Sequence, residues 1–189
     1  DPSAHPYFEV ATAGGRVSAH LLIRRDGLLI QYVPLSQRAW HAGSSSFQGR
    51  DRCNDYSIGI ELDNPGDAPF SEPLMATLER LLAEVLQQWG IAPHRVIAHS
   101  DMAPGRKSDP GPRFDWARLA RQGLAGHAHG EAAPDNATQA QFLQTARAHG
   151  YTAHVDAETL LAATRLRFAP WRRGPLHDLD LALHHRLQG

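Results

Sequence analysis

The sequence predicts an α/β domain followed by a small helical unit, and three observations carry that prediction. Short apolar runs alternate with segments of helical spacing up to about Gly123. A stretch rich in Gly, Ala, His and Pro follows and is typical of a linker. Beyond it only helical patterns occur. We therefore expect a first domain over 1–123, a linker over 124–137 and a helical domain over 138–189.

Four strands are expected in the first domain. Segments 17–23 and 28–33 flank Arg25-Asp-Gly27, which is a hairpin turn signal. Segment 57–62 is almost continuously apolar and is expected to be a central strand. Segment 95–99 is expected to be the next strand, with His99 at its end.

Helices are expected between and after these strands. Ser71 and Pro73 predict the start of a helix, apolar residues recur at helical spacing up to position 89, and Gly90 ends it. A shorter amphipathic helix is expected over 114–122. The tail predicts three helices, over 139–149, 157–168 and 176–187. This tail is too small to bury much surface alone, so we expect it to pack on the first domain.

The composition narrows the classes of partner. The chain has 189 residues, is 42% hydrophobic and has a net charge of −1, which gives no electrostatic reason to expect nucleic acid or an anionic membrane as a partner. No apolar run is long enough to span a bilayer, and the single Cys53 cannot form an internal disulfide. We expect a monomer. The chain begins at Asp1 without Met, which predicts a processed protein or a fragment.

The segment from His99 to Pro112 carries the strongest chemical signal. It places His99, Lys107 and Asp109 in one loop that is stiffened by three prolines. Glu61 lies in an apolar strand, where a carboxylate is either functional or part of a buried ion pair. Taken alone, His99 is more typical of a hydrogen-bonded core histidine than of a metal ligand. Lys107 and Asp109, taken alone, are typical of a solvent-exposed pair in a loop. Together they favour a functional site, because zinc held by His and Asp beside a Glu and a Lys suits amide hydrolysis.

Two further segments have open interpretations. Trp40-His41 follows the hairpin in a loop, where the indole either stacks on a ligand or closes the edge of the core. His20 lies on the first strand and faces either a cleft or the core.

Four motifs together resemble the zinc-dependent N-acetylmuramoyl-L-alanine amidases, which share their fold with the peptidoglycan recognition proteins. The resemblance covers about residues 1–123, and its motifs are Arg16-Val-Ser-Ala-His20, Arg38-Ala-Trp-His-Ala-Gly43, Cys53-Asn-Asp-Tyr-Ser-Ile-Gly-Ile-Glu61 and His99 through Pro112. It implies a mixed central sheet flanked by helices. The implied reaction cleaves the amide between the lactyl group of N-acetylmuramic acid, or its anhydro form, and L-alanine, in peptidoglycan or muropeptides.

The same resemblance implies roles for particular residues. His99 and Asp109 would bind Zn2+, Glu61 would be the general base, and Lys107 would stabilise the transition state. The implied substrate-binding residues are Arg16, His20, Trp40, His41, Arg52 and Asn54.

The two parts of the chain resemble different branches of these amidases. The first half, with Ala4-His-Pro-Tyr-Phe8 and Arg50-Asp-Arg-Cys-Asn54, is most similar to the cytosolic recycling enzymes that act on anhydro-muropeptides. The tail, with Ala148-His-Gly-Tyr151 and Phe168-Ala-Pro-Trp-Arg-Arg-Gly174, looks like the helical peptidoglycan-binding module of envelope amidases. The tail favours the bacterial cell envelope as the location, with the cytoplasm as the alternative.

One departure from the family pattern concerns the metal site. The family has a further zinc-binding histidine at the end of an opening strand, whereas residues 1–15 contain only His5. We expect an N-terminal truncation. Substitution by His5, His20 or His41 is a less favoured alternative. A peptidoglycan-binding protein that has lost catalysis is the rival function.

Overall fold

The computed structural model describes residues 18–126 and 136–181. Arg16, His5, most of the predicted linker and the end of the third tail helix lie outside these ranges. No helix among the described residues is both long enough and apolar enough to cross a bilayer.

Within the described residues, five short strands form two sheets. They are β1 (Leu21–Ile23), β2 (Leu29–Gln31), β3 (Ser46–Phe47), β4 (Arg50–Asp51) and β5 (Ile60–Leu62). In the main sheet, of order β2-β1-β5, β1 is antiparallel to β2 and parallel to β5. Strands β3 and β4 form a separate hairpin. The predicted α/β fold with a mixed sheet is confirmed, although β1, β2 and β5 are shorter than the strands predicted for them, and the hairpin of β3 and β4 was not predicted.

Helix α1 (Glu72–Trp89) packs on this sheet. Its buried residues recur at intervals of three and four, and they share one core with Leu21 and Ile23 of β1. Gly90 ends the helix at a φ of 61°, which glycine adopts without steric cost. The prediction for this helix, from the serine before it to the terminal glycine, is confirmed.

The predicted strand over 95–99 is wrong. Pro93–Arg95 form a 3-10 turn, and the backbone is extended at Val96 and Ala98. A strand needs a hydrogen-bonded neighbour, and within the described ranges no strand pairs with this segment. His99 instead begins a short helix, α2 (His99–Met102).

The α/β domain ends with helix α3 (Trp116–Arg121). The Asp115 carboxylate accepts a hydrogen bond from the backbone N–H of Arg118 and caps the helix. Leu124 and Ala125, just past the boundary expected at 123, are buried in the same core, and the division into domains stays a prediction.

The tail forms a helical unit with its own small core. It contains α4 (Gln139–Ala148), α5 (Ala157–Phe168) and a 3-10 turn over Asp178–Leu181. Phe142, Tyr151 and Leu160 are among its buried residues. Helix α5 contacts α2 of the first domain, so the expected packing of the tail on that domain is confirmed.

Candidate active site

His99 and Asp109 lie against each other at the edge of the α/β domain. The distance from His99 Nδ1 to Asp109 Oδ2 is 3.1 Å. The intervening loop turns back because the Ser100 N–H donates to the Asp109 carbonyl and the Lys107 N–H to the Ala103 carbonyl. The His99 side chain is only 15% exposed, whereas that of Asp109 is 54% exposed, so the pair opens to solvent on the Asp109 side.

The second ring nitrogen of His99 faces the protein. Nε2 lies 3.2 Å from the Ala42 carbonyl oxygen and 3.3 Å from Nη2 of Arg106. Without a metal, a proton on Nδ1 can donate to Asp109. With the proton on Nε2, where the Ala42 carbonyl can accept it, Nδ1 would present the lone pair that a metal ligand needs. Arg106 also donates to the carbonyls of Ala42 and Ser44, which fixes this loop beside the imidazole.

Asn54 fixes the position of Ala42. Its Oδ1 accepts hydrogen bonds from the backbone N–H groups of His41 and Ala42, at 2.9 Å and 2.7 Å. The side chain is buried, so this acceptor serves the backbone. The prediction of a substrate contact by Asn54 remains untested, and its position supports a role in shaping the loop.

Glu61 projects from β5 into the cavity that His99 and Asp109 also line. Burial is the largest cause of a raised Glu61 pKa, and the negative charge of Asp109 adds to it. The charges of His99 and Lys107 act in the opposite direction. Glu61 thus holds a proton more readily than an ordinary glutamate and lies within electrostatic reach of all three loop residues.

The pKa of Asp109 is shifted in the opposite direction from that of Glu61. Burial opposes its ionisation, but the hydrogen bond from His99, the charge of His99 and the charge of Lys107 outweigh burial and lower the Asp109 pKa. The carboxylate is therefore ionised at neutral pH, as a metal ligand must be. Lys107 itself is exposed. The structure brings together the four residues that the sequence predicted, namely Glu61, His99, Lys107 and Asp109.

His41 is neutral and has one unused acceptor. Burial, with contributions from His20 and His99, lowers its pKa to about 4. Its Nε2 lies 2.9 Å from Ser57 Oγ, whose own proton goes to the Cys53 carbonyl, so Nε2 is the donor. Nδ1 is buried and has no partner among the described residues.

His20 lies beneath this site. Its side chain is 1% exposed, Nδ1 accepts from the Gly59 N–H, and Nε2 contacts the Gln37 carbonyl. Both nitrogens therefore bond to backbone. The predicted substrate contact by His20 stays a prediction that its burial disfavours, and a role as a replacement zinc ligand is disfavoured for the same reason.

Exposed side chains form a rim on the segment next to His41. The Arg38 guanidinium lies 3.8 Å from the centre of the Trp40 ring, and Trp40 is 50% exposed. Arg38 and Arg52 both pair with Asp55 at 3.0 Å. Trp40 thus has a free aromatic surface, and Arg52 has a largely exposed cation, as substrate-binding residues would.

Sequence reasoning missed Arg106 although it lies within the same motif. An arginine flanked by glycine and lysine gives no sign that its guanidinium will reach two carbonyls more than sixty positions upstream.

Among residues 18–126 and 136–181, no three His, Cys, Asp or Glu side chains cluster as metal ligands. His99 and Asp109 fit zinc in donor chemistry and spacing, and they supply two of the three protein ligands usual for catalytic zinc.

Comparison with known proteins gives a consistent set of matches. The family model described as N-acetylmuramoyl-L-alanine amidase matches residues 1–112. The 1,6-anhydro-N-acetylmuramyl-L-alanine amidase AmpD of Citrobacter freundii is 50% identical over 119 residues. That match spans 63% of this chain and 63% of the relative, so the chain corresponds to less than two thirds of the curated protein.

Two solved structures match both parts of the chain. One is the amidase AmiD from E. coli with the substrate anhydro-N-acetylmuramic acid-L-Ala-D-gamma-Glu-L-Lys, at a TM-score of 0.84 and 30% identity, covering 93% of this chain and 80% of that one. The other is AmpDh3 from Pseudomonas aeruginosa with anhydromuramic pentapeptide, at a TM-score of 0.80 and 30% identity, covering 94% and 84%.

Proposed function

Since this chain belongs to the N-acetylmuramoyl-L-alanine amidase family, we propose that it hydrolyses the amide between the lactyl group of anhydro-N-acetylmuramic acid and L-alanine. The observation that carries the proposal is the meeting of Glu61, His99 and Asp109 at one cavity, with the charge of Lys107 acting on both carboxylates. Their electrostatic coupling is visible in the opposite pKa shifts of Glu61 and Asp109. Perturbed, mutually coupled groups of this kind are typical of active sites.

His99 and Asp109 would hold the zinc ion. The Ala42 carbonyl supports the histidine tautomer that ligation requires, and the lowered Asp109 pKa supplies an ionised oxygen. We place the third ligand outside the described residues, because a catalytic site usually has three. Zinc bound there would activate water and polarise the scissile carbonyl.

Glu61 and Lys107 have separate tasks in this scheme. Glu61 accepts the proton of the attacking water, whose oxygen bonds to the carbonyl carbon, and later gives that proton to the departing L-alanine nitrogen as the C–N bond breaks. Its raised pKa suits a group that must take and return one proton. The Lys107 ammonium stabilises the negative charge that develops on the carbonyl oxygen.

The cavity and its rim account for substrate binding. His41 lines the cavity as a neutral imidazole, which suits contact with the muropeptide. The exposed face of Trp40 suits stacking on a sugar ring, and the Arg52 guanidinium suits a stem-peptide carboxylate. Two relatives are known with anhydro-muropeptides bound, which supports this substrate class.

The helical unit over 138–189 is proposed to bind peptidoglycan. Support comes from the high coverage by AmiD and AmpDh3, which match this unit as well as the first domain. Trp171 is 76% exposed on this unit, and Arg172 and Arg173 follow it in the chain, an arrangement suited to a sugar and peptide polymer. A unit that binds the wall favours an envelope location over the cytoplasm.

Mass spectrometry of the products tests the proposed reaction. The full-length protein is incubated with zinc and either soluble anhydro-muropeptide or insoluble sacculi. We expect a free peptide that begins at L-alanine and a sugar that retains its lactyl carboxylate. Binding to sacculi without any released peptide would refute the amidase and support the rival, a binding protein without catalysis.

A further inference from the structure

Asp101 is a buried carboxylate two residues after His99, and three groups donate to it. Its side chain is 1% exposed. Oδ2 accepts from the Ala98 N–H at 2.7 Å and from Arg167 Nη1 at 2.8 Å, and Oδ1 accepts from the Tyr151 hydroxyl at 2.7 Å. One donor is therefore the residue that precedes His99, and the other two come from the helical unit.

Arg167 connects both ends of the segment that carries His99. Besides Asp101, its guanidinium donates from Nη2 to the Val96 carbonyl at 2.9 Å. Its Cζ lies 4.0 Å from the centre of the Trp116 ring, so the side chain is also fixed from the first-domain core. Burial raises the Tyr151 pKa well above its usual range, which keeps the phenol protonated as a donor.

The helical unit also contacts the hairpin formed by β3 and β4. The Gln48 N–H donates to the Gly150 carbonyl at 2.8 Å, and Thr152 Oγ1 contacts Ser46 Oγ and the Gly49 N–H. The Phe47 ring packs edge-on against Tyr151. This hairpin follows directly on the segment whose Ala42 carbonyl contacts His99 Nε2.

We propose that Asp101, Tyr151 and Arg167 are positioning residues that hold the His99 imidazole in its ligand geometry. The helical unit is then part of the catalytic apparatus, in addition to any role in binding the wall. The backbone before His99 is fixed at Val96 and Ala98, and the turn after it is fixed at Asp101, so the ring has one orientation towards Asp109. The functional part of this proposal rests on the proposed role of His99 as a zinc ligand.

The chain provides a matched control on the same helix. Arg165 forms an ion pair with Asp180, at 2.6 Å, that is slightly less buried than the pair of Arg167 with Asp101, and it donates to the carbonyls of Gly174 and Pro175. All four groups belong to the helical unit, and these bonds do not reach the first domain. Arg165→Lys and Arg167→Lys therefore make the same chemical change in two buried pairs, and only Arg167 touches the segment of His99.

The experiment compares Tyr151→Phe, Arg167→Lys and Arg165→Lys at a temperature where circular dichroism shows all of them folded. In the metal-free chain, side-chain 1H–15N spectra report the orientation and tautomer of His99, assigned with His99→Gln. We expect one sharp His99 signal set in the wild type and in Arg165→Lys. In Tyr151→Phe and Arg167→Lys we expect a shifted or doubled set. In the full-length protein, the zinc Kd of these two variants should rise about tenfold.

Two results would overturn the proposal. One is an unchanged His99 signal and zinc Kd in Arg167→Lys and Tyr151→Phe. The other is a change of the same size in the His99 signal and zinc Kd of Arg165→Lys, because the effect would then come from a general destabilisation of the helical unit and not from the positioning of His99. A wild-type protein that binds no zinc would overturn the proposed function, while the spectra of the metal-free chain would still decide whether the three residues position His99.

Discussion

Glu61→Gln is expected to lower kcat by about 10²–10⁴-fold, because the amide cannot accept the proton of the attacking water. Glutamine keeps the size of the side chain and removes only its basicity. KM for anhydro-muropeptide should stay close to that of the wild type, since Glu61 is assigned to the chemical step. The measurement is steady-state release of stem peptide by the full-length protein, with zinc content determined on the same samples.

The thermal stability of Glu61→Gln at different pH values tests whether the pKa of Glu61 is raised. The folded-state pKa of Glu61 lies above the value it has in the unfolded chain, so its ionised form opposes folding. That cost is absent below the unfolded pKa, grows as the pH rises through the interval between the two values, and is complete above the folded pKa. Metal-free Glu61→Gln should therefore have a higher Tm than the wild type at pH 7, and the gain should vanish below about pH 4, near the pKa of a free glutamate.

Glu84→Gln is the control, because Glu84 is an exposed carboxylate on α1. It should leave kcat unchanged. Near-wild-type turnover in Glu61→Gln would remove the general-base assignment, and a Tm gain that is equal at pH 4 and pH 7 would contradict the raised pKa.

Lys107→Met is expected to lower kcat by about 10²–10³-fold, the usual effect of losing one group that stabilises an oxyanion. Methionine keeps most of the length of the side chain and removes its charge. The Lys107 charge also lowers the pKa of Glu61. Its loss should therefore move the acid limb of the kcat/KM profile to higher pH, because Glu61 must be ionised to act as a base.

Arg113→Met controls for the loss of one exposed positive charge from the same loop. It should leave both the rate and the acid limb in place. Near-wild-type activity in Lys107→Met with an unmoved acid limb would place Lys107 outside the site. The same loss in Arg113→Met would indicate that only the net charge of the loop matters.

The sequence predicted those parts of the structure that depend on local patterns. Helix α1 was predictable because its apolar spacing, its early proline and its terminal glycine all agree. The four site residues were predictable because three lie in one stiff loop and Glu61 is a carboxylate within an apolar strand. The fold of the first domain followed from the family resemblance together with these patterns.

Other features depend on contacts between distant segments. The extended stretch before His99 has a strand-like composition but no paired strand within the described residues, and only the structure shows this. His20 and Asn54 were predicted to bind substrate from the family resemblance, and the structure shows their polar atoms bonded to nearby backbone. The bond from Arg167 to Asp101 joins residues 66 positions apart, and no local pattern indicates it.

Zinc binding and zinc-dependent turnover in the same protein test the central claim most directly. The full-length wild type and Asp109→Asn are treated with chelator, dialysed and titrated with zinc while peptide release from anhydro-muropeptide is measured. We predict that chelation abolishes release and that about one zinc per wild-type chain restores it, whereas Asp109→Asn binds zinc weakly and stays inactive. Release that survives chelation, or equal recovery in Asp109→Asn, would contradict a zinc amidase built on His99 and Asp109.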